Sequence, residues 1–82
     1  MKLLEATLCY PKFVNREPKD ESEVLLKKVF FIPQNVVAIF EEVEKPMAKT
    51  RIELAGGIGF LITETIEDLA TRINTQLQLE VK

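Results

Sequence analysis

The sequence predicts a small α+β domain: a mostly antiparallel five-stranded sheet or open barrel, followed by one amphipathic C-terminal helix. Three observations predict this fold class. Short runs of alternating apolar and polar residues recur along the chain, a Gly-Gly pair joins two of them, and an apolar stripe with helical spacing follows the last run. Because the chain has only 82 residues, we expect a single domain over residues 1–82.

The first two predicted strands lie on either side of a long polar segment. Residues 2–10 alternate between apolar and more polar positions, which predicts a strand with one buried face. Residues 11–22 contain two prolines and a cluster of charges, so we expect a mobile loop there. Residues 23–32 are largely apolar on both sides apart from Lys27 and Lys28. This pattern predicts a central strand or one covered on its second face.

The third predicted strand, residues 36–42, follows a turn or single helical turn at residues 33–35. Its alternation places Val37 and Ile39 on one side and the other apolar residues of the strand on the opposite side. A second polar segment that contains a proline, residues 43–48, then precedes the rest of the sheet.

A β-hairpin is the strongest local prediction. Residues 50–55 and 58–63 both alternate, and Gly56 and Gly57 join them. A two-residue type I′ turn requires positive φ at both central positions, which glycine adopts without a steric penalty.

The last predicted element is a helix over about residues 65–77, because apolar residues recur there at helical spacing. The stripe consists of Ile66, Leu69, Ala70, Ile73 and Leu77. Thr65 is a natural N-cap, with Asp68 three residues further on. After residue 77 the apolar positions also alternate with period two, so a short terminal strand is an open alternative to a longer helix.

The chain lacks the residues on which most catalytic and metal sites depend. It has no histidine, so the commonest general base is absent, and its single cysteine, Cys9, has no histidine to activate it. A zinc site needs about four cysteine or histidine ligands. Clustered glutamates at residues 41–44 lack the spacing of a calcium loop. We therefore expect no enzyme, no catalytic residue, no metal site and no cofactor.

Composition also limits the partners and the compartment that we expect. No apolar run approaches the roughly 20 residues of a membrane helix, and no secretory signal follows the first residues. A single cysteine fits a reducing cytoplasm. A net charge of −2 gives no long-range attraction to nucleic acid. The expectation is a cytoplasmic protein with no membrane contact, no evident small-molecule substrate and no nucleic-acid partner.

These exclusions favour a non-enzymatic structural or regulatory module that acts through protein–protein contacts and self-associates as a homo-oligomer. The expected self-association residues are Leu77, Leu79 and Val81. The alternative is a nucleic-acid-binding module with a basic and aromatic strand. Its contact residues would be Lys27, Lys28, Phe30 and Phe31. The same lysines would also protect an exposed strand edge from aggregation.

Between residues 32 and 73 the motifs follow a recognisable order: a polar turn with asparagine, an Ile-Glu strand, a Thr-x-Ile-x-Leu-x-x-Gly hairpin and a Glu-Thr helix entry. The matching positions are Asn35, Ile39, Glu41, Thr50, Ile52, Leu54, Gly57, Glu64 and Thr65. This order resembles the small flagellar FlbD-type proteins and similar short bacterial and phage proteins. The polar segments 11–22 and 43–48 depart from it. The resemblance implies a small non-enzymatic β-rich module and carries over no catalytic residue.

Overall fold

The structure, a computed structural model, describes residues 2–81 and the side chains of residues 2–79. Its elements are β1 (Leu4–Pro11), β2 (Val24–Phe31), β3 (Val36–Glu41), β4 (Thr50–Leu54), β5 (Ile58–Ile62) and α1 (Ile66–Val81). The strands form one antiparallel sheet in the order β2-β1-β5-β4-β3. The predicted α+β class is confirmed, and the sheet is open rather than closed into a barrel.

One face of the sheet carries the core, because α1 packs on that face only. The buried cluster consists of Ala6, Phe31, Ile52, Ile62, Leu69 and Ile73. The first four come from the strands and the last two from α1, so the core lies between the two layers. We call the opposite side of the sheet the helix-free face. Cross-strand pairing places Cys9, Leu61 and Phe40 on it.

The N-terminal capping of α1 follows the sequence prediction, and its C-terminal end extends beyond it. Thr65 Oγ1 accepts a hydrogen bond from Asp68 N at 3.2 Å, as an N-cap residue should. The helix continues to Val81 instead of ending near residue 77, so no terminal strand forms. Within residues 2–81, no helix is both long and apolar enough to span a membrane.

The prediction that the second strand is central was wrong, because β2 is one of the two edge strands. Its C-terminal half explains part of the apolar pattern. Phe31 is in the core and Val29 packs against it. Leu25, Leu26 and Phe30 remain 39%, 47% and 56% exposed. In β2, apolar residues on both sides of the strand therefore do not mean that both sides are covered, since several of them are exposed.

A β-bulge changes the predicted faces of β3. Val36 pairs with Leu54 and Ala38 with Glu53, so Val37 is the extra residue. Simple alternation had placed Val37 with Ile39. The bulge shifts the phase by one residue, and Val36 and Ile39 instead share the helix-covered face.

The predicted hairpin between β4 and β5 is confirmed, with both glycines at positive φ (92° for Gly56 and 80° for Gly57). The last cross-strand pair is Leu54 with Ile58, so three residues rather than two form the loop. The extra residue, Ala55, donates its N–H to the carbonyl of Asn35 at 2.7 Å. This hydrogen bond connects Ala55 to the 3-10 turn at Pro33–Asn35, which is the turn that the sequence predicted.

The two halves of the sheet are joined by a short ladder and by one carboxylate. β1 pairs with β5 at only two positions, whereas β1 and β2 pair at eight. Beyond this short ladder, Glu64 Oε1 accepts from Thr7 N at 2.9 Å and Glu64 Oε2 accepts from Thr7 Oγ1 at 3.2 Å. The buried Thr50 hydroxyl donates to the Glu64 carbonyl at 2.7 Å. Together with the backbone bond from Thr63 N to the Thr7 carbonyl at 3.0 Å, Glu64 thus extends the β1–β5 connection beyond the two paired positions.

Candidate interaction surface

The two edges of the sheet are the largest unpaired elements of the described fold. Neither β2 nor β3 has a strand partner on its outer side within residues 2–81. An exposed edge presents backbone N–H and carbonyl groups that can pair with another chain. The side chains along each edge decide whether such pairing is favourable.

The β2 edge carries two lysines at its centre. Lys27 lies on the helix-covered side opposite Leu8, and Lys28 lies on the helix-free face opposite Thr7. Both are exposed, and the Lys28 ammonium is 3.9 Å from the Glu5 carboxylate with its side chain 73% exposed. Such a weak ion pair leaves the lysine charge largely in solvent. Positive charge therefore faces any strand that approaches along the middle of β2.

The β3 edge has no charged residue between Val36 and Phe40. Val37 is 69% exposed and Phe40 is 48% exposed, and Val43, just beyond the strand, is 79% exposed. Ile39 is partly buried and packs against the core. The bulge at Val37 leaves a regular stretch over residues 38–41. This edge is the more apolar of the two.

Of the residues that the sequence analysis assigned to self-association, Leu77 and Leu79 do not share one surface. Leu77 packs against the core, and Leu79 is 58% exposed. Two residues that are two positions apart on a helix point in nearly opposite directions. Val81 belongs to α1, but its side chain lies outside the described ones.

The four residues of the nucleic-acid alternative are divided between the two faces of β2. Phe30 and Lys28 lie on the helix-free face, with Phe30 56% exposed. Lys27 lies on the other side, and Phe31 is 5% exposed within the core. Phe31 cannot stack on a base without leaving the core. The structure therefore gives this set no common binding surface.

Cys9 lies at a position where a thiol has low reactivity. It is 6% exposed on the helix-free face of β1. Burial, together with the nearby negative charge of Glu64, raises the pKa of the Cys9 thiol above its ordinary value. The neutral thiol is a small apolar packing group rather than a nucleophile. Among the side chains of residues 2–79, no cluster of three or more histidine, cysteine, aspartate or glutamate residues is placed to hold a metal ion.

Sequence reasoning did not identify the β3 edge because strand order depends on long-range pairing. One signal was present: residues 36–40 form an uncharged apolar run, whereas residues 27–28 interrupt the apolar run of β2 with two charges. Lysines at the centre of an otherwise apolar strand are typical of a protected edge. The contrast between the two runs would have indicated two different edges.

Comparisons of the chain with models of protein families, with curated proteins and with solved structures find no match.

Proposed function

We propose that the protein is a non-enzymatic structural or regulatory module that acts by protein–protein contact, and that it pairs with a second copy of itself through the β3 edge. The observation that carries this proposal is the difference in charge between the two edges. β2 has Lys27 and Lys28 at its centre, and β3 has an uncharged stretch with Val37 and Phe40 exposed.

A twofold axis perpendicular to the sheet sets the geometry of such a dimer. This symmetry makes the two β3 strands antiparallel and keeps both helices on the same side of a continuous sheet. Directly opposite residues must then share a face. With Ile39 opposite its own symmetry mate, Phe40 of each copy lies opposite Ala38 of the other. No like charges oppose one another in this register, and both phenylalanines become covered.

The same twofold pairing between the β2 strands of two copies is unfavourable. The strand spans Val24–Phe31, so the registers with the greatest overlap are centred on Lys27 or on Lys28. Either register places a lysine directly opposite the same lysine of the second copy. Like charges directly opposite each other destabilise a strand pair. The β2 edge thus stays unpaired, and association through β3 ends at a closed dimer rather than continuing as a filament.

The compartment and origin belong to the same proposal. The single cysteine is a buried free thiol, which fits a reducing cytoplasm. The order of motifs shared with FlbD-type and similar short proteins supports a bacterial or phage source.

Light scattering coupled to size exclusion, over a dilution series, tests the proposed dimer. Phe40→Gln should weaken the dimer by at least tenfold, because each association covers this side chain twice. Phe30→Gln is the matched control, since Phe30 is also a half-exposed phenylalanine on the helix-free face of an edge strand. A wild-type chain that stays monomeric at high concentration would contradict the proposal, and so would equal weakening by both variants.

A further inference from the structure

Two neighbouring cavities lie on the helix-free face, away from the outer edge of β3. The larger is about 410 Å³ and the smaller about 250 Å³. Lys45 and Leu61 line both of them, so the cavities meet at these two residues. A volume of 410 Å³ falls within the range of roughly 300–1,000 Å³ typical of small-molecule sites.

The larger cavity is mainly apolar. Its floor comes from the sheet, with Cys9 of β1 and Leu61 of β5 as directly paired neighbours. Apolar side chains from the sheet and from both loops contribute to its lining, among them Val14, Pro18, Val24, Pro46, Ala48 and Leu61. Val14 is fully exposed at its rim. An apolar body that entered this cavity would cover surface that now faces water.

Two loops wall the larger cavity, and both are held in place. In the loop over residues 12–20, Glu23 organises the chain: its carbonyl accepts from Lys12 N at 2.8 Å, and its carboxylate accepts from Lys19 N at 2.9 Å and from Arg16. The loop over residues 42–49 is joined to the first by Lys45, whose ammonium is 2.9 Å from the Glu17 carboxylate. These contacts join the two loops into one wall of the larger cavity.

The smaller cavity is more polar than the larger one and contains a cation beside Gly59. Arg51, Lys45 and Glu42 line it together with Gly59. The Arg51 side chain lies close to Gly59, where a β-carbon would come within 3.6 Å of Arg51 Nη2. Its ion pair with Glu53 is long, at 3.6 Å, and both side chains are about half exposed. The lining has two cations and one anion, and Lys45 is already paired with Glu17. Arg16, which lines the larger cavity, is paired with Glu23. Arg51 is therefore the group best placed to receive an added carboxylate.

We propose that the two cavities form one binding site for a small amphipathic carboxylate. Its apolar body lies over Cys9 and Leu61 between the two loops, and its carboxylate reaches the Arg51 guanidinium beside Gly59. The ligand passes Lys45, which borders both cavities. This site does not rest on the dimer proposed above, because no residue of β3 lines either cavity.

Titration of the isotopically labelled full-length protein with decanoate, followed by NMR, tests this site. We expect amide shifts at residues around both cavities, including Cys9, Leu61 and Arg51. Decan-1-ol, which has the same chain without the charge, should bind about tenfold more weakly, because a charge-assisted hydrogen bond is lost. Decylamine should bind more weakly still, because its ammonium group is positively charged like the Arg51 guanidinium and is repelled by it.

Three variants separate the two parts of the site. Arg51→Gln should weaken decanoate about tenfold and leave decan-1-ol unchanged. Val14→Ser should weaken both ligands to the same degree, because it removes apolar lining at an exposed position that does not affect folding. Lys28→Gln is the control: this exposed cation on the same face lines neither cavity, and its loss should change nothing. Equal binding of decanoate and decan-1-ol, equal loss in the Arg51 and Lys28 variants, or amide shifts confined to other surfaces would overturn the proposal.

Discussion

The two edges of the sheet are built from similar residues and differ in where their charges lie. Both β2 and β3 expose a phenylalanine on the helix-free face, with Phe30 56% and Phe40 48% exposed. The distinction is the placement of charge: β2 has lysines at its centre, whereas the central part of β3 has none. Apolar exposure alone does not mark an interface. What matters is which residues come opposite one another when the edge pairs with a copy of itself.

Exchanging charge at the β3 edge should have the largest effect. In the proposed register Ala38 and Phe40 lie opposite each other, so Ala38→Lys/Phe40→Lys creates two pairs of opposed lysines. Together with the loss of the cover that pairing gives to two half-exposed phenylalanines, at about 0.7–1.5 kcal/mol each, this should weaken the dimer more than a hundredfold. Analytical ultracentrifugation measures the dissociation constant.

The complementary variant Ala38→Lys/Phe40→Glu is the control for that result. Each lysine now lies opposite a glutamate, so the dimer should be substantially tighter than in the double-lysine variant. Within the fold, Ala38 pairs with Glu53 in both variants, but position 40 pairs with Arg51, which opposes a lysine in one variant and a glutamate in the other. Urea denaturation of each variant measures this difference between the monomers, which is separate from the dimer dissociation constant. If both double variants dissociate equally, the register is wrong.

Removing charge from the β2 edge should have the opposite effect. In Lys27→Val/Lys28→Val, β2 becomes an uncharged apolar edge like β3. The chain then has two edges that pair, and assemblies should grow beyond the dimer with increasing concentration. Light scattering measures the mass. A variant that stays dimeric at every concentration would show that the lysines do not protect this edge.

A substitution at the centre of the sheet should change folding without changing association. Glu64→Ala removes the carboxylate that accepts from Thr7 N and leaves that N–H without its partner. The expected cost is about 1–3 kcal/mol of unfolding free energy, measured by urea denaturation. The dimer dissociation constant should stay at its wild-type value under native conditions. A weaker dimer in this variant would mean that association depends on the whole sheet rather than on one edge.

The smallest expected effect is on Cys9, which lies on β1 away from the β3 edge. Because burial and Glu64 raise its pKa, its alkylation at neutral pH should be more than tenfold slower than that of an unfolded thiol. The rate should be the same in monomer and dimer when followed by mass spectrometry. A folded-state pKa above the unfolded one contributes stability that is present below the thiol's ordinary pKa. This stability is lost as pH rises through the raised value.

Local patterns in the sequence predicted most of the strands, the helix, and the fact that one face of the sheet is buried. Alternation, the Gly56-Gly57 pair and the Thr65 cap depend on neighbouring residues, and the structure has each of them. Strand order was beyond these patterns. β2 was predicted to be central because both sides are apolar, and only long-range pairing shows that it is an edge.

The candidate surfaces were harder to predict, because they combine distant parts of the chain. The bulge at Val37 changes which residues of β3 lie on each face of the sheet, and no single residue in the sequence indicates a bulge there. The cavities combine two loops with four strands, and their walls are joined by Lys45 and Glu17, which are 28 residues apart. For Lys27 and Lys28, the sequence analysis did offer protection of an exposed edge as one interpretation, and the structure places both residues on an edge strand.

Hydrogen exchange of individual amides at high and low protein concentration tests the central claim most directly. If the β3 edge pairs with a second copy, amides within residues 38–41 that point away from β4 become protected as the concentration rises. Amides on the outer side of β2 keep the same exchange rate at both concentrations. Concentration-dependent protection along β2, or unchanged exchange along both edges, would contradict the account.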